Sequence, residues 1–175
     1  MGERESSQFR EYVQSRQAAL FRSALLLTGS RQDAEDLLQE ALTKLALRWH
    51  AIERSGSPDA YVRTIMYHQW ISWWRRRRHG HEYATSDWPE TAGSGDLAAD
   101  GALRVALVQI LRQLTPRQRA VVVLRFYEDL SESEVARILG CTVGTVRSQV
   151  HRTLARLPDL GPDLAPTLAK EFDSP

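Results

Sequence analysis

Between Ser131 and Leu157 the chain reads SESEVARILGCTVGTVRSQVHRTLARL. Val146, Val150, Leu154 and Leu157 recur at spacings of four, four and three, which is one stripe of an α-helix. Thr145, Arg147, Ser148, Gln149, His151, Arg152 and Arg156 lie off that stripe. Arginine donates two hydrogen bonds to a guanine edge and glutamine pairs with adenine, so these residue types suit the reading of a DNA duplex. No acid occurs between Glu134 and Asp159, so the helix is expected to be basic and uncompensated.

A second set of chemically apt residues is Tyr67, His68, Trp70 and Trp74, followed by Arg75, Arg76, Arg77 and Arg78. Four positive charges fall within about 6 Å of helix rise. Aromatic faces beside arginine are what single-stranded nucleic acid requires, because bases stack on rings and phosphates meet guanidinium groups. A third set, Asp33, Asp36, Gln39 and Glu40, makes an acidic face that turns basic at Lys44 and Arg48. Acids early and bases late complement a helix dipole; the same face also suits docking on a basic partner.

The elements that position these residues are helical. Ser131 caps one helix with Glu134 three residues on, Gly140 ends it, and Thr142 caps the next. A short helix, a glycine turn and a basic helix make a helix-turn-helix, whose second helix enters the major groove. Upstream, Thr115-Pro116-x-Gln118 opens an apolar helix, 116–127, preceded by a short amphipathic helix, 102–114. In the first half, helices are expected over 9–27 and 32–49, the second capped by Ser30, with residues 1–7 frayed and 50–57 a loop. Ser57-Pro58 opens a third helix, in which Tyr61, Val62, Ile65, Met66 and Trp73 serve the core. Residues 80–101, rich in Gly, Ser, Asp, Thr and Ala, read as a flexible linker. Pro158, Gly161, Pro162 and Pro166 are expected to stop the last helix and leave 158–175 a loose tail.

With 175 residues the chain suits one or two small domains. The net charge of +1 says little, but residues 1–80 are net +4, 81–101 net −5 and 102–175 net +2, so two basic lobes flank an acidic connector. The single Cys141 forms no internal disulfide and fits a small apolar plug in the turn. No apolar run spans a bilayer and the polar N-terminus is unlike a secretion signal, so a cytoplasmic location without membrane insertion is expected. His50, His68, His79, His81 and His151 are scattered, and neither a metal-ligand cluster nor a phosphate loop nor a nucleophile motif is present. Neither a cofactor nor a metal is expected, and an enzyme is disfavoured.

DAEDLLQEALTKLALRW (33–49), AYVRTIMYHQWISWWRRRR (60–78) and LTPRQRAVVVLRFYEDLSESEVARILGCTVGTVRSQVHRTLARL (114–157) together resemble the extracytoplasmic-function sigma factors of bacterial RNA polymerase, most of all the actinobacterial sigma-E-like group. The resemblance implies an all-α chain with two small helical domains joined by a flexible linker. A sigma-2 domain would occupy 8–79 and a sigma-4 domain 102–157. It further implies that Asp33, Asp36, Gln39 and Glu40 dock on the β′ clamp helices of core polymerase, with the β flap a second contact. Residues 67–78 would capture the minus-10 strand as the duplex opens, and Arg147, Ser148 and Arg152, helped by Gln149 and His151, would read the minus-35 duplex of promoter DNA. An anti-sigma factor, where one exists, would clamp between the lobes. Many members carry Asn where this chain has His68, and an apolar or aromatic residue at His151, so no promoter sequence is carried over. The alternative from the residues alone is a stand-alone helix-turn-helix regulator binding duplex DNA as a dimer.

Overall fold

The computed structural model describes residues 3–80 and 109–160. The chain divides into two compact units, Met1–Thr91 and Ala92–Pro175. All regular structure among the described residues is helical. None of the described helices is long and apolar enough to cross a membrane. The expected linker beyond Gly80, the expected tail beyond Leu160 and the first part of the expected helix 102–114 lie outside the described residues.

In the first unit, α1 (Glu3–Thr28) and α2 (Arg31–Leu47) pack along each other, and α2 also packs on α4 (Pro58–Gly80). Leu20, Ala24 and Leu27 of α1 close on Ala34, Leu37, Leu38, Ala41 and Leu45 of α2 and on Val62 and Met66 of α4 as the buried core. The α1–α2 turn is built locally: Gly29 adopts φ 70°, Ser30 accepts from the Asp33 amide, and Thr28 Oγ1 donates to Ala24 O at 2.9 Å. Left-handed backbone at Gly29 is cheap because no Cβ is present.

The structure departs from two sequence expectations in this unit. The expected loop over 50–57 is largely a short helix, α3 (Trp49–Ser55), ended by Gly56 at φ 81°. Arg48 breaks α2 with φ −122° and ψ 12°, and this turns the Trp49 ring inward against Phe9 and Tyr12, each 5.4 Å away between centroids. The expected frayed start is instead helical from Glu3, because Glu5 pairs with His50 and Gln8 bonds Glu53, which moors the first turns to α3. Tyr12 donates to Asp59 at 2.8 Å, and Arg16 pairs with the same carboxylate, so α1 is also pinned to the start of α4. Burial first, then the Asp59 bond and charge, pushes the Tyr12 phenol above its ordinary value and keeps it a donor.

In the second unit, residues 109–113 are helical and lead to α5 (Pro116–Val122). Thr115 and Gln118 form a reciprocal capping box with Pro116 at the first helical positions. The expected continuous helix to Tyr127 loosens into a π turn at Val123–Tyr127, and Asp129 then takes φ 51° as the chain swings into α6 (Glu132–Leu139). Arg119 is a buried residue that the apolar pattern hid. Its Nε donates to Leu111 O at 2.7 Å and so ties the 109–113 turn to α5. Burial, and then the charge of Arg112, lowers its guanidinium to about 10.

A candidate nucleic-acid interface on two helices

The helix-turn-helix is built as its local chemistry dictates. Ser131 and Glu134 form a capping box at the start of α6, with Ser131 N donating to Glu134 Oε2 at 2.9 Å. Gly140 ends α6 at φ 62°, and the Cys141 amide returns to Ala136 O at 3.0 Å, which closes the helix end. Thr142 Oγ1 accepts from the Thr145 amide at 3.2 Å and starts α7 (Val143–Leu160). Val146 and Thr153 of α7 are buried, in contact with α5 and α6, beside Val135, Ala136, Ile138 and Leu139. Val150 and Leu154 are half-buried on the same side. Contrary to the expected stop at Pro158, the helix runs on to Leu160. A proline this near a helix end forfeits one intrahelical bond and crowds one carbonyl, with little helix beyond it to disrupt.

The opposite side of α7 presents Arg147, Ser148, His151, Arg152 and Arg156 exposed along one face. Thr145 and Gln149 are only half-exposed. The Thr145 hydroxyl lies 2.9 Å from that of Thr142 and is occupied at the helix start. The expectation that this face is uncompensated is corrected: Arg147 Nε donates to Glu132 Oε2 of α6 at 2.6 Å. Cys141 is half-buried in the turn, as a small plug would be.

On α4 the expected aromatic set divides. Tyr67 and Trp70 are only 4% and 5% exposed and belong to the core. Neither of these two residues expected at the minus-10 strand therefore offers an open ring face, because the apolar surface that would stack on a base is already covered by the bundle. Trp73 and Trp74 are half-exposed, and His68, Arg75 and Arg76 are exposed. Arg77 and Arg78 continue the helical backbone; their side chains lie outside the described residues. Gln69 Oε1 accepts from Lys44 Nζ of α2 at 3.0 Å, a link between helices that no spacing in the sequence announces.

On α2, Asp36 and Gln39 are exposed, while Asp33 and Glu40 are half-exposed. Asp33 is engaged at the helix start, and Glu40 Oε1 pairs with Lys44 at 2.9 Å. Beside them runs a groove of about 450 Å³ between α1 and α2, walled by Phe9, Val13, Phe21, Leu38, Leu42 and Ala46 with Glu35, Gln39 and Thr43 on its edge. Leu47, 81% exposed, extends the Gln39–Thr43 row by one more turn. Sequence reasoning missed this feature because groove walls and core positions share one helical periodicity. Among the described residues, no group of three His, Cys, Asp or Glu side chains is placed to hold a metal.

The chain matches the family model for sigma-70 region 2 over residues 12–80 and that for sigma-70 region 4 over residues 104–157. It is similar to the RNA polymerase sigma-E factor of Streptomyces coelicolor, with 45% identity over 150 residues covering 86% of this chain and 84% of that protein. The RNA polymerase sigma-E factor of Streptomyces antibioticus is 41% identical over 157 residues, covering 90% of this chain and 86% of that one. Among solved structures, the sigma factor RpoE of Bartonella quintana, crystallised with the anti-sigma factor NepR, superimposes with a TM-score of 0.66 at 27% identity, covering 87% of this chain and 96% of that one.

Proposed function

The chain belongs to the extracytoplasmic-function branch of the sigma-70 family of RNA polymerase sigma factors, and from that premise we propose how its helices divide the labour of initiation. It is an alternative sigma factor that directs transcription initiation. In our reading, residues 8–79 dock on core polymerase and handle the minus-10 element, and residues 102–157 read the minus-35 duplex. Residues 80–101 connect the two, and the tail 158–175 is given no role. Asp36, Gln39 and Glu40 meet the β′ clamp helices, with Asp33 serving mainly as part of the α2 start. His68, Trp74, Arg75 and Arg76, continued by Arg77 and Arg78, receive the minus-10 strand. Tyr67 and Trp70 support that surface from beneath.

On α7, Arg147, Ser148, His151, Arg152 and Arg156 face the minus-35 groove, flanked by Thr145 and Gln149. The observation that carries this reading is the exposed basic face of α7, set on a capped helix-turn-helix, in a chain whose other half also ends a helix in arginines. Each half alone makes few phosphate contacts, so each binds weakly and with strong salt dependence. Held by one polymerase, the two contacts become intramolecular and gain avidity without new surface. The protein acts as a DNA-binding initiation factor rather than a catalyst, in the cytoplasm where the polymerase works. The Bartonella complex supports an anti-sigma partner of the same general kind for this chain.

The test is transcription in vitro by core RNA polymerase, with and without the protein, on fragmented genomic DNA, followed by mapping of 5′ ends. New starts preceded by a shared two-part motif are expected. Tight binding to a palindrome by the protein alone, with no new starts, would replace this reading with the stand-alone dimeric regulator.

A further inference from the structure

Arg147 stands out on the α7 face because an acid holds it. Its Nε donates to Glu132 Oε2 at 2.6 Å, across 15 residues of sequence, from α7 to the first turn of α6. As a first-turn acid Glu132 suits the α6 dipole, but it takes no part in the cap. The start of α6 is already served by Ser131 and Glu134, whose carboxylate takes both the Ser131 amide and hydroxyl. The Glu132 side chain is 30% exposed and the arginine 70% exposed, so the acid lies under the arginine and the guanidinium stays in solvent. An acid beside a DNA-facing helix carries an electrostatic cost, since it repels phosphates. A compensating use is therefore expected of it.

We infer that Glu132 is a positioning residue for minus-35 reading: it grips Arg147 by Nε and leaves the two terminal nitrogens as a fixed fork for a guanine edge. This rests on the proposed role of α7 above. A free arginine must give up rotamer freedom on meeting a base, whereas one already held gives up less. The guanidinium fork is planar and rigid, so fixing Nε fixes the direction of the other two donors. The ligand is a guanine in the major groove, whose O6 and N7 accept side by side. Glu132 does not touch the base; it acts through Arg147.

The experiment uses holoenzyme assembled from core polymerase and the full chain. A minus-35 element is first selected by the wild-type holoenzyme from random duplex. Competition binding against every single-base change in that element, and against unrelated duplex, then measures discrimination for each variant. Arg147→Ala should cut discrimination at one guanine position about tenfold. Glu132→Ala should cut it at the same position about threefold, the scale of an exposed ion pair, and add nothing to Arg147→Ala. It should also strengthen binding to unrelated duplex, because a negative charge is gone; a merely structural defect would weaken both. Glu132→Gln, which keeps the acceptor and the shape, should retain most of the discrimination and guards against misfolding of the alanine variant. If Arg147→Ala leaves discrimination intact, the base-reading role of Arg147 falls and Glu132 falls with it. If Arg147 matters but both Glu132 variants discriminate like wild type, or lose binding equally on all DNA, the positioning role alone is overturned.

Discussion

Helices α4 and α7 both carry arginines and polar side chains toward the positions proposed to meet DNA, yet they treat their apolar residues differently. α7 keeps its two jobs on two sides: Val146 and Thr153 are buried, while Arg147, Ser148, His151, Arg152 and Arg156 project into solvent. α4 cannot separate them so cleanly. Its aromatics would serve a single strand by the same ring faces that a small helical bundle uses for its core, and the bundle has taken Tyr67 and Trp70. A duplex reader works mainly through polar side chains that reach base edges, and it needs no broad ring face exposed. A strand-capturing helix needs exposed apolar faces, which fold stability opposes. The proposed minus-10 surface is therefore left with half-exposed Trp74 and with exposed His68, Arg75 and Arg76.

That contrast is sharpest in the tryptophans. Trp70→Ala should destabilise the protein by about 3–5 kcal/mol, as large-to-small changes in a core do. Urea denaturation of the full chain measures it, and an unshifted midpoint would mean that Trp70 is not part of the core. Trp74→Ala should spare most of the stability and instead weaken capture of single-stranded minus-10 DNA by holoenzyme by about 1–3 kcal/mol. On the other helix, Arg152→Ala should cost about 1–3 kcal/mol at one base of the minus-35 element while leaving folding intact. An equal loss on all sequences would reassign Arg152 to a phosphate. Smaller still, Glu40→Arg should weaken core polymerase binding about tenfold by placing like charge against a basic partner. It also breaks the exposed Glu40–Lys44 pair, which is worth only about 0.3–0.5 kcal/mol, so the melting curve should stay put while affinity for core falls.

How much of this was legible beforehand depends on how far apart in sequence the interacting groups stand. The caps at Ser30, Thr115, Ser131 and Thr142, each joined to a residue three positions on, are visible because the bond is local. Gly140 is legible for the same reason. The Arg147–Glu132 pair spans 15 residues, and Lys44–Gln69 spans 25. No periodicity carries that information. The α3 helix is not legible in local sequence, because Trp49 packs on Phe9 and Tyr12, about forty residues earlier. The burial of Tyr67 and Trp70 is hidden for a related reason: a helix with aromatics on several sides does not announce which side its neighbours cover. The exposed face of α7 is easier to read, since a polar face opposite a clean apolar stripe has only one way to sit on a core.

The smallest expected effect tests the comparison on its electrostatic side. If Arg76 of α4 meets phosphates of a single strand and Arg156 of α7 meets phosphates of a duplex, both substitutions to alanine should weaken binding without regard to sequence. They should differ in salt dependence. Single strands hold fewer condensed counterions per phosphate, so Arg76→Ala should lower the slope of log affinity against log salt by about 0.7, and Arg156→Ala by about 0.9. Holoenzyme titrated over a salt series on a preopened bubble template, and on a duplex carrying only the minus-35 element, separates the two. Loss of slope on the duplex from Arg76→Ala would place α4 on double-stranded DNA. It would then remove the need for exposed ring faces on that helix, and with it the physical reason for the two helices to differ.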